Sequence, residues 1–290
     1  MTSSPENKLN IVGEGLAPPE INGGKKMQKR PEIITSRKNP AVAAAAALAD
    51  KKQRDKTGLF AFEGIKLLCD AMGAGLEIEK VFATEHAYEK YEKELSALAG
   101  KLTLVTDEVY AKLSFENAPQ GVFTVAKKRV KAEKSYGARA FALFLDTLGD
   151  PGNLGTVIRS AEAFGADTVF VGEGSADIYN PKTVRAAMGS LFRVDVRVCT
   201  DIAADIGNMR GEGFEIYAAM LDKTSRNVCD LELENGKIGF VIGNEGHGVR
   251  ESVRASCTGS VIVPMCEGPE SLNAAICASL LSWEVYRSRR

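Results

Sequence analysis

From Ala140 onward, short apolar runs alternate with stretches of helical period, and the runs stop at Gly, Pro, Asn or Asp. Strands that alternate with helices pair through crossover connections, so this half of the chain has to build a mostly parallel sheet covered by helices. In an open sheet of that kind, ligands bind beyond the carboxyl ends of the strands. Three such ends carry polar punctuation: Asp150-Pro151-Gly152-Asn153-Leu154-Gly155, Gly243-Asn244-Glu245-Gly246, and Val263-Pro264-Met265 followed by Glu270-Ser271-Leu272-Asn273. Three loops at three strand ends point to one site assembled from distant segments.

The first loop opens a helix, and Asn153 falls at a favoured N-cap position. Gly152 and Gly155 allow a close backbone approach. Leu154, Val157, Ile158, Ala161 and Phe164 recur at helical spacing and form the core stripe. Arg159 falls on roughly the opposite side. An isolated helical arginine is usually a solvated surface charge; this one follows a ligand-type loop by two turns. Ser271 and Asn273, taken alone, are ordinary helix caps. No G-x-G-x-x-G opens a strand–helix unit and no G-x-x-x-x-G-K-[ST] occurs, which disfavours dinucleotide and nucleoside-triphosphate enzymes.

A length of 290 residues implies about two domains. Residues 1–29, rich in Gly, Pro, Asn and Lys, read as a disordered leader. Residues 30–126 alternate helices and short strands: a helix over 40–55, a strand over 58–64, helices over 65–72 and 87–98, strands near 81–84, 102–105 and 121–126, and a helix capped by Asp107. The charged stretch 127–139 reads as a linker. The second domain, 140–290, includes helices over 153–164, near 181–190 and from 271 to about 287.

Composition narrows the function classes. No apolar run approaches the roughly 18 residues of a membrane span. Six cysteines without a C-x-x-C pair argue against zinc and against a disulfide framework, so the cytoplasm is the expected compartment. Only His86 and His247 are available to histidine chemistry. Between Lys25 and Leu59, ten Lys and Arg stand against three acids, although the whole chain has a net charge of −1. Lys127, Lys128, Arg129, Lys131 and Lys134 form a second basic cluster. Such patches are either solvated surface or a footprint for phosphates.

Taken together and in this order, the three segments resemble the SpoU/TrmH family of the SPOUT class of RNA methyltransferases. Asn153 and Arg159 match the family's N-L-G-x-x-x-R motif. Gly243-Asn244-Glu245-Gly246 match its second motif. Pro264-Met265 with Ser271-Leu272-Asn273 match its third. The segment Asn180 to Ser190 is similar to the family's connecting stretch. Residues 35–125, with Gly-Leu-Phe-Ala-Phe-Glu-Gly and Pro119-Gln120-Gly121-Val122, resemble the small RNA-binding domain often found in front of it.

The resemblance implies an α/β fold: a C-terminal SPOUT domain, with a parallel sheet and a deep trefoil knot, behind a smaller N-terminal RNA-binding domain. It implies S-adenosylmethionine as cofactor, a ribose 2′-hydroxyl of RNA as acceptor, and a homodimer through the C-terminal domain, with neither metal nor membrane involved. It assigns Asn153, Arg159, Glu245, Ser271 and Asn273 to catalysis, and Met220, Leu221, Gly243, Asn244, Val263, Met265 and Leu272 to the cofactor. In the family Arg159 would be the base; an arginine can also clamp a phosphate. Ribosomal RNA is favoured by the type of N-terminal domain. A tRNA ribose methyltransferase and a non-catalytic RNA-binding or ribosome-assembly factor are the alternatives.

Overall fold

The computed structural model describes residues 32–129, 133–266 and 271–290. The leader 1–29, Lys25, Lys26, Lys29 and Arg30 of the first basic run, Lys131, and Glu270 of the third loop lie outside the described residues.

The chain first builds a five-stranded sheet. Its elements are β1 (Ile33–Ile34), α1 (Pro40–Ala46), α2 (Lys51–Thr57), β2 (Leu59–Glu63), α3 (Ile65–Gly73), β3 (Ile78–Thr84), α4 (Glu85–Lys90), α5 (Glu92–Ser96), β4 (Leu102–Val105), α6 (Asp107–Leu113) and β5 (Val122–Lys127). The strand order is β1-β4-β3-β5-β2. β5 runs antiparallel to both of its neighbours, and the other pairings are parallel.

Three expectations for this half need correction. The helix expected over 40–55 breaks at Asp50, whose extended backbone turns the chain and whose side chain accepts from Lys52 N–H to start α2. The helix over 87–98 is two, α4 and α5, divided at Tyr91. α6 is capped by the Thr106 hydroxyl rather than by Asp107, which is its first residue. At Asp50 and Thr106 a local side-chain-to-backbone bond sets the helix start, and hydrophobic period alone does not register it.

The second sheet is entirely parallel. Its elements are β6 (Phe141–Leu145), α7 (Pro151–Ala163), β7 (Thr168–Gly172), α8 (Pro181–Ala187), β8 (Asp195–Cys199), α9 (Ile202–Gly211), β9 (Phe214–Ala219), β10 (Arg226–Asn227), β11 (Lys237–Ile242), α10 (Glu251–Ala255), β12 (Gly259–Ile262) and α11 (Ala274–Ser288). The order is β10-β12-β9-β11-β6-β7-β8. Both faces are covered, so β6 is buried along its whole length and its side chains divide by parity. Phe141, Leu143 and Leu145 join the core beneath α7, α8 and α11; Ala142 and Phe144 join the core beneath α9 and α10. The stripe expected on the first helix is the one that packs: Leu154, Val157, Ile158 and Ala161 are buried, and Arg159 is exposed.

The two sheets share one apolar core. Phe60 lies 4.6 Å from Tyr179 and Phe62 lies 5.2 Å from Phe192, ring centre to ring centre. Beside them Arg54, 1% exposed, crosses the seam. Its Nε and Nη2 donate to Asp177 Oδ2 at 3.1 and 2.6 Å, and its Nη1 donates to the carbonyls of Leu48 and Ala49. Four of the guanidinium's five N–H groups are therefore used, and its charge is paired, as a buried cation requires.

Candidate active site

Directly after β6 comes Asp146, a carboxylate with no exposed surface. It accepts from the backbone N–H of Arg250 at 2.8 Å and from Arg250 Nε at 2.7 Å, and its Oδ1 lies 2.6 Å from Arg250 Nη2. This bond ties the end of β6 to the far end of the loop leaving β11. The near end is tied too: Asn244 Nδ2 donates to the Thr147 carbonyl at 2.8 Å, and Asn244 Oδ1 accepts from Gly246 N–H at 2.9 Å. Within the loop, Gly243 has no room for a side chain. A Cβ there would sit 2.2 Å from the Gly248 carbonyl carbon and 2.3 Å from the Val249 nitrogen, so two stretches of backbone touch where only glycine fits.

The helix start differs from expectation in a way that matters. Asp150, not Asn153, caps α7, accepting from Asn153 N–H at 2.7 Å, with Pro151 as the first helical residue. Asn153 therefore sits in the first turn with its side chain free for other partners. Its Nδ2 donates to Glu245 Oε1 at 2.9 Å, and its Oδ1 accepts from Asn273 Nδ2 at 3.1 Å. Asn273 in turn caps α11, accepting from the Ala275 and Ile276 N–H groups. α11 thus begins at Ala274, three residues later than the sequence led us to expect, with Ser271 and Leu272 in the preceding loop.

One residue from each of the three loops meets in this chain, Glu245–Asn153–Asn273. Glu245 also accepts from the Gly149 and Asp150 N–H groups at 3.3 and 3.4 Å. Burial pushes its pKa up, but the Asn153 amide and the surrounding backbone N–H groups outweigh that and hold it below the usual value. Glu245 is accordingly a carboxylate at neutral pH, an acceptor rather than a proton donor.

Beside this chain lies a cavity of about 540 Å³. Met220, Leu221, Gly243, Asn244, Val263, Met265 and Leu272 line it, as do Glu245, Ser271 and Asn273. That size suits a whole small-molecule ligand. Cys277 forms part of the wall; burial pushes its thiol up to about 11, so it contributes apolar surface and not a nucleophile. Arg159 does not join this assembly. It is exposed on α7, six residues and about 9 Å of helix rise beyond Asn153. Among the described residues it has no hydrogen-bond or ion-pair partner. Near it, Ser160 meets Ser279 of α11 at 2.7 Å, and α11 exposes Ile276 (53%), Leu280 (38%) and Trp283 (42%).

Asp146 and Arg250 escaped the sequence reading. An acid directly after the apolar run Phe-Ala-Leu-Phe-Leu was the available signal for Asp146, because a carboxylate at the buried end of a parallel strand needs a partner.

Fold and site together define the class: a parallel-sheet domain with one small-molecule cavity gathered from three strand-end loops, joined to a smaller mixed α/β unit. The family follows from direct comparison. Residues 140–283 match the SpoU rRNA Methylase family, and residues 39–124 match the MRM3-like substrate binding domain. The chain belongs to the SpoU methylase family. It is 29% identical over 252 residues to the 23S rRNA (guanosine(2553)-2′-O)-methyltransferase RlmP of Bacillus subtilis, covering 87% of this chain and 98% of that protein. It is 27% identical over 269 residues to the 23S rRNA (uridine(2479)-2′-O)-methyltransferase of Streptomyces viridochromogenes, covering 88% and 92%. The AdoMet-bound rRNA methyltransferase of Sinorhizobium meliloti superimposes with a TM-score of 0.79 at 28% identity, covering 88% of this chain and 97% of that one.

Proposed function

We propose that this protein methylates the 2′-hydroxyl of a ribose in RNA, with S-adenosylmethionine as donor and ribosomal RNA as the substrate class. The observation that carries this reading is the meeting of the three strand-end loops: Glu245, Asn153 and Asn273 are hydrogen-bonded in series at the lip of the 540 Å³ cavity. The rRNA methyltransferases among its relatives support the substrate class, and the AdoMet-bound neighbour supports the donor. No observation on this chain favours tRNA or a non-catalytic role over it.

The cavity fits the cofactor. Much of its wall is backbone and apolar side chain, and at Gly243, Gly246 and Gly248 the loop presents backbone to it. Met220, Leu221, Gly243, Asn244, Val263, Met265 and Leu272 would hold it. When bound, it supplies an electrophilic methyl group on a positively charged sulfur. The chain's own task is then to place a hydroxyl oxygen in line with that methyl, the hydroxyl proton leaving to solvent. Glu245 fixes the Asn153 amide, and Asn153 and Asn273 offer the amide atoms that orient the ribose; Ser271 closes the same side. Arginine does not give up its proton in proteins, so we assign Arg159 to a bidentate grip on the phosphate beside the target ribose.

The same reading includes the knotted arrangement of the C-terminal loops, a cytoplasmic setting, the use of residues 30–126 as the RNA-selecting domain ahead of a linker at 127–139, and a homodimer. Six free cysteines fit the cytoplasm. Among the described residues no helix is long and apolar enough to cross a membrane. The exposed Ile276, Leu280 and Trp283 lie on the side of α11 away from its own core, where Ala278, Leu281 and Val285 are buried. A helix apolar on two sides is what an interface between copies requires. The second copy would cover the surface near Arg159, which its own protomer leaves outside the cavity.

Arg159→Ala should abolish methyl transfer to RNA while leaving S-adenosylmethionine affinity within a few-fold. Near-normal turnover would remove Arg159 from the site. Ribose-methylation mapping of cellular RNA with and without the gene identifies the nucleotide, and an unchanged map would sink the substrate assignment. Light scattering should give a mass near twice 31.1 kDa; a monomer that methylates RNA would exclude the dimer.

A further inference from the structure

A second cavity, of about 190 Å³, opens at the seam between the two sheets, away from the loops described above. We propose that it receives a single unstacked base of the RNA substrate, a contact that rests on the reading of the protein as an RNA methyltransferase.

One wall belongs to the five-stranded unit: Gly64 at the end of β2, Lys66 on α3, and Glu116 and Gln120 on the loop from α6 to β5. The other wall is the end of α8, with Arg185 and Met188. The volume is below the roughly 300–1,000 Å³ of sites that take a whole small-molecule ligand. It suits one flat ring system attached to something larger outside.

The lining has the chemistry that unpaired bases are read with, an apolar face beside polar groups for the ring edge. Met188 supplies the apolar face. It is 38% exposed and held in the left-handed region at φ 48°, a conformation that residues other than glycine seldom adopt. Gln120 supplies an amide, both donor and acceptor. Among the described residues neither Gln120 nor Lys66 has a side-chain hydrogen-bond or ion-pair partner. Gly64, at φ 98°, keeps the floor clear, since a Cβ there would lie 2.9 Å from Gln120 Oε1. The lining carries two cations among three acids: Glu63 is held by its own hydrogen bonds, Asp70 lies 3.6 Å from Arg193 Nη1 and Glu116 is paired to Arg185 across the seam, which leaves Lys66 free for a phosphate.

The pocket is also built in advance of any ligand. Glu63, next to Gly64, accepts from the Tyr110 hydroxyl at 3.0 Å, the Ser114 hydroxyl at 2.8 Å and Phe115 N–H. That fixes the loop leading to Gln120. Its position suits a strand of RNA that continues to the active site. α8 lies directly on the first turn of α7, where a Cβ on Gly155 would fall 2.5 Å from the Thr183 carbonyl oxygen. Asn153 is on that same turn. The pocket and the proposed ribose site therefore lie on two helices in direct contact, whose axes are about 8–10 Å apart at such a packing.

The test uses the full-length protein and fluorescently labelled ten-nucleotide single-stranded RNAs, one normal and one with abasic positions. Gln120→Ala and Met188→Ala should each weaken binding of the normal oligonucleotide by about fivefold to a hundredfold, the range that stacking of one base is worth by alanine substitution. Both should bind the abasic oligonucleotide as the parent does, with unchanged thermal midpoint and S-adenosylmethionine affinity. Gln120 is exposed and unpartnered, so its variant reads the pocket even where Met188→Ala fails to fold. A 4-thiouridine version of the RNA should crosslink to residues 115–120 or 185–189. Equal loss on normal and abasic RNA, or no loss in Gln120→Ala, would overturn the pocket. A protein that methylates no RNA but keeps the base-dependent binding would overturn the enzymatic reading and leave the pocket standing.

Discussion

The two sheets of this molecule are made of similar short apolar strands, yet they offer different surfaces. In the seven-stranded sheet every pairing is parallel, so β6, β9, β11 and β12 all end at the same edge. Their loops gather there, and the polar residues that punctuate them meet: Asp146 with Arg250, Asn153 with Glu245 and Asn273. In the five-stranded sheet β5 is reversed between β3 and β2, which sends strand ends to both edges. Polar groups there are used locally, as in the Glu63 cluster, and its cavity is closed only with help from α8. Strand direction, more than composition, decides which half can build a deep site.

The sharpest way to break this comparison is at Gly243. Gly243→Ala places a methyl against the backbone of Gly248 and Val249 and forces the loop open. S-adenosylmethionine binding, measured by calorimetry, should fall below detection while the five-stranded half stays folded; retained affinity would mean that the gathered loops do not form the cofactor wall. Next is the contact that joins the halves. Arg54→Ala leaves the largely buried Asp177 carboxylate uncompensated, and we expect a loss of about 3–5 kcal/mol in denaturant unfolding. A loss under about 1 kcal/mol would show that the seam is held by its aromatic rings alone. The smallest effect is electrostatic. The Glu245 pKa is depressed in the folded state, so its stabilisation is present above its ordinary value of about 4.3 and is lost as pH falls through the lower folded value. The thermal midpoint of Glu245→Gln should lie below that of the parent at pH 7, and the gap should close in acid. A gap that widens in acid would reverse the sign of that contribution.

The legible parts of the site were those that local sequence dictates. Glycine at a close approach, asparagine at helix starts and an acid in a Gly-Asn-Glu-Gly turn carry their constraint within a few residues, and Asn153, Glu245 and Asn273 stood out accordingly. What stayed hidden was pairing at a distance. Asp146 and Arg250 are separated by 104 positions, Arg54 and Asp177 by 123, and no periodicity links either pair. The capping of α7 by Asp150 was hidden for another reason. Asp150 and Asn153 are both good caps, and only the presence of Glu245 and Asn273 in space shows which of them is free for other work. Nor did the polarity of α7 reveal that Arg159 stands apart from the residues it was grouped with.

The Arg54–Asp177 bond and the rings around it bear on how portable each half is. Cutting the chain near residue 135 would strip the guanidinium from Asp177 and open Tyr179 and Phe192 to water. The N-terminal half is therefore not a cassette to be transplanted at will. A chimera with a relative's front half would fold soundly only if the graft brought its own cation for Asp177 and flat apolar side chains where Phe60 and Phe62 now sit, so the fitting travels with the part.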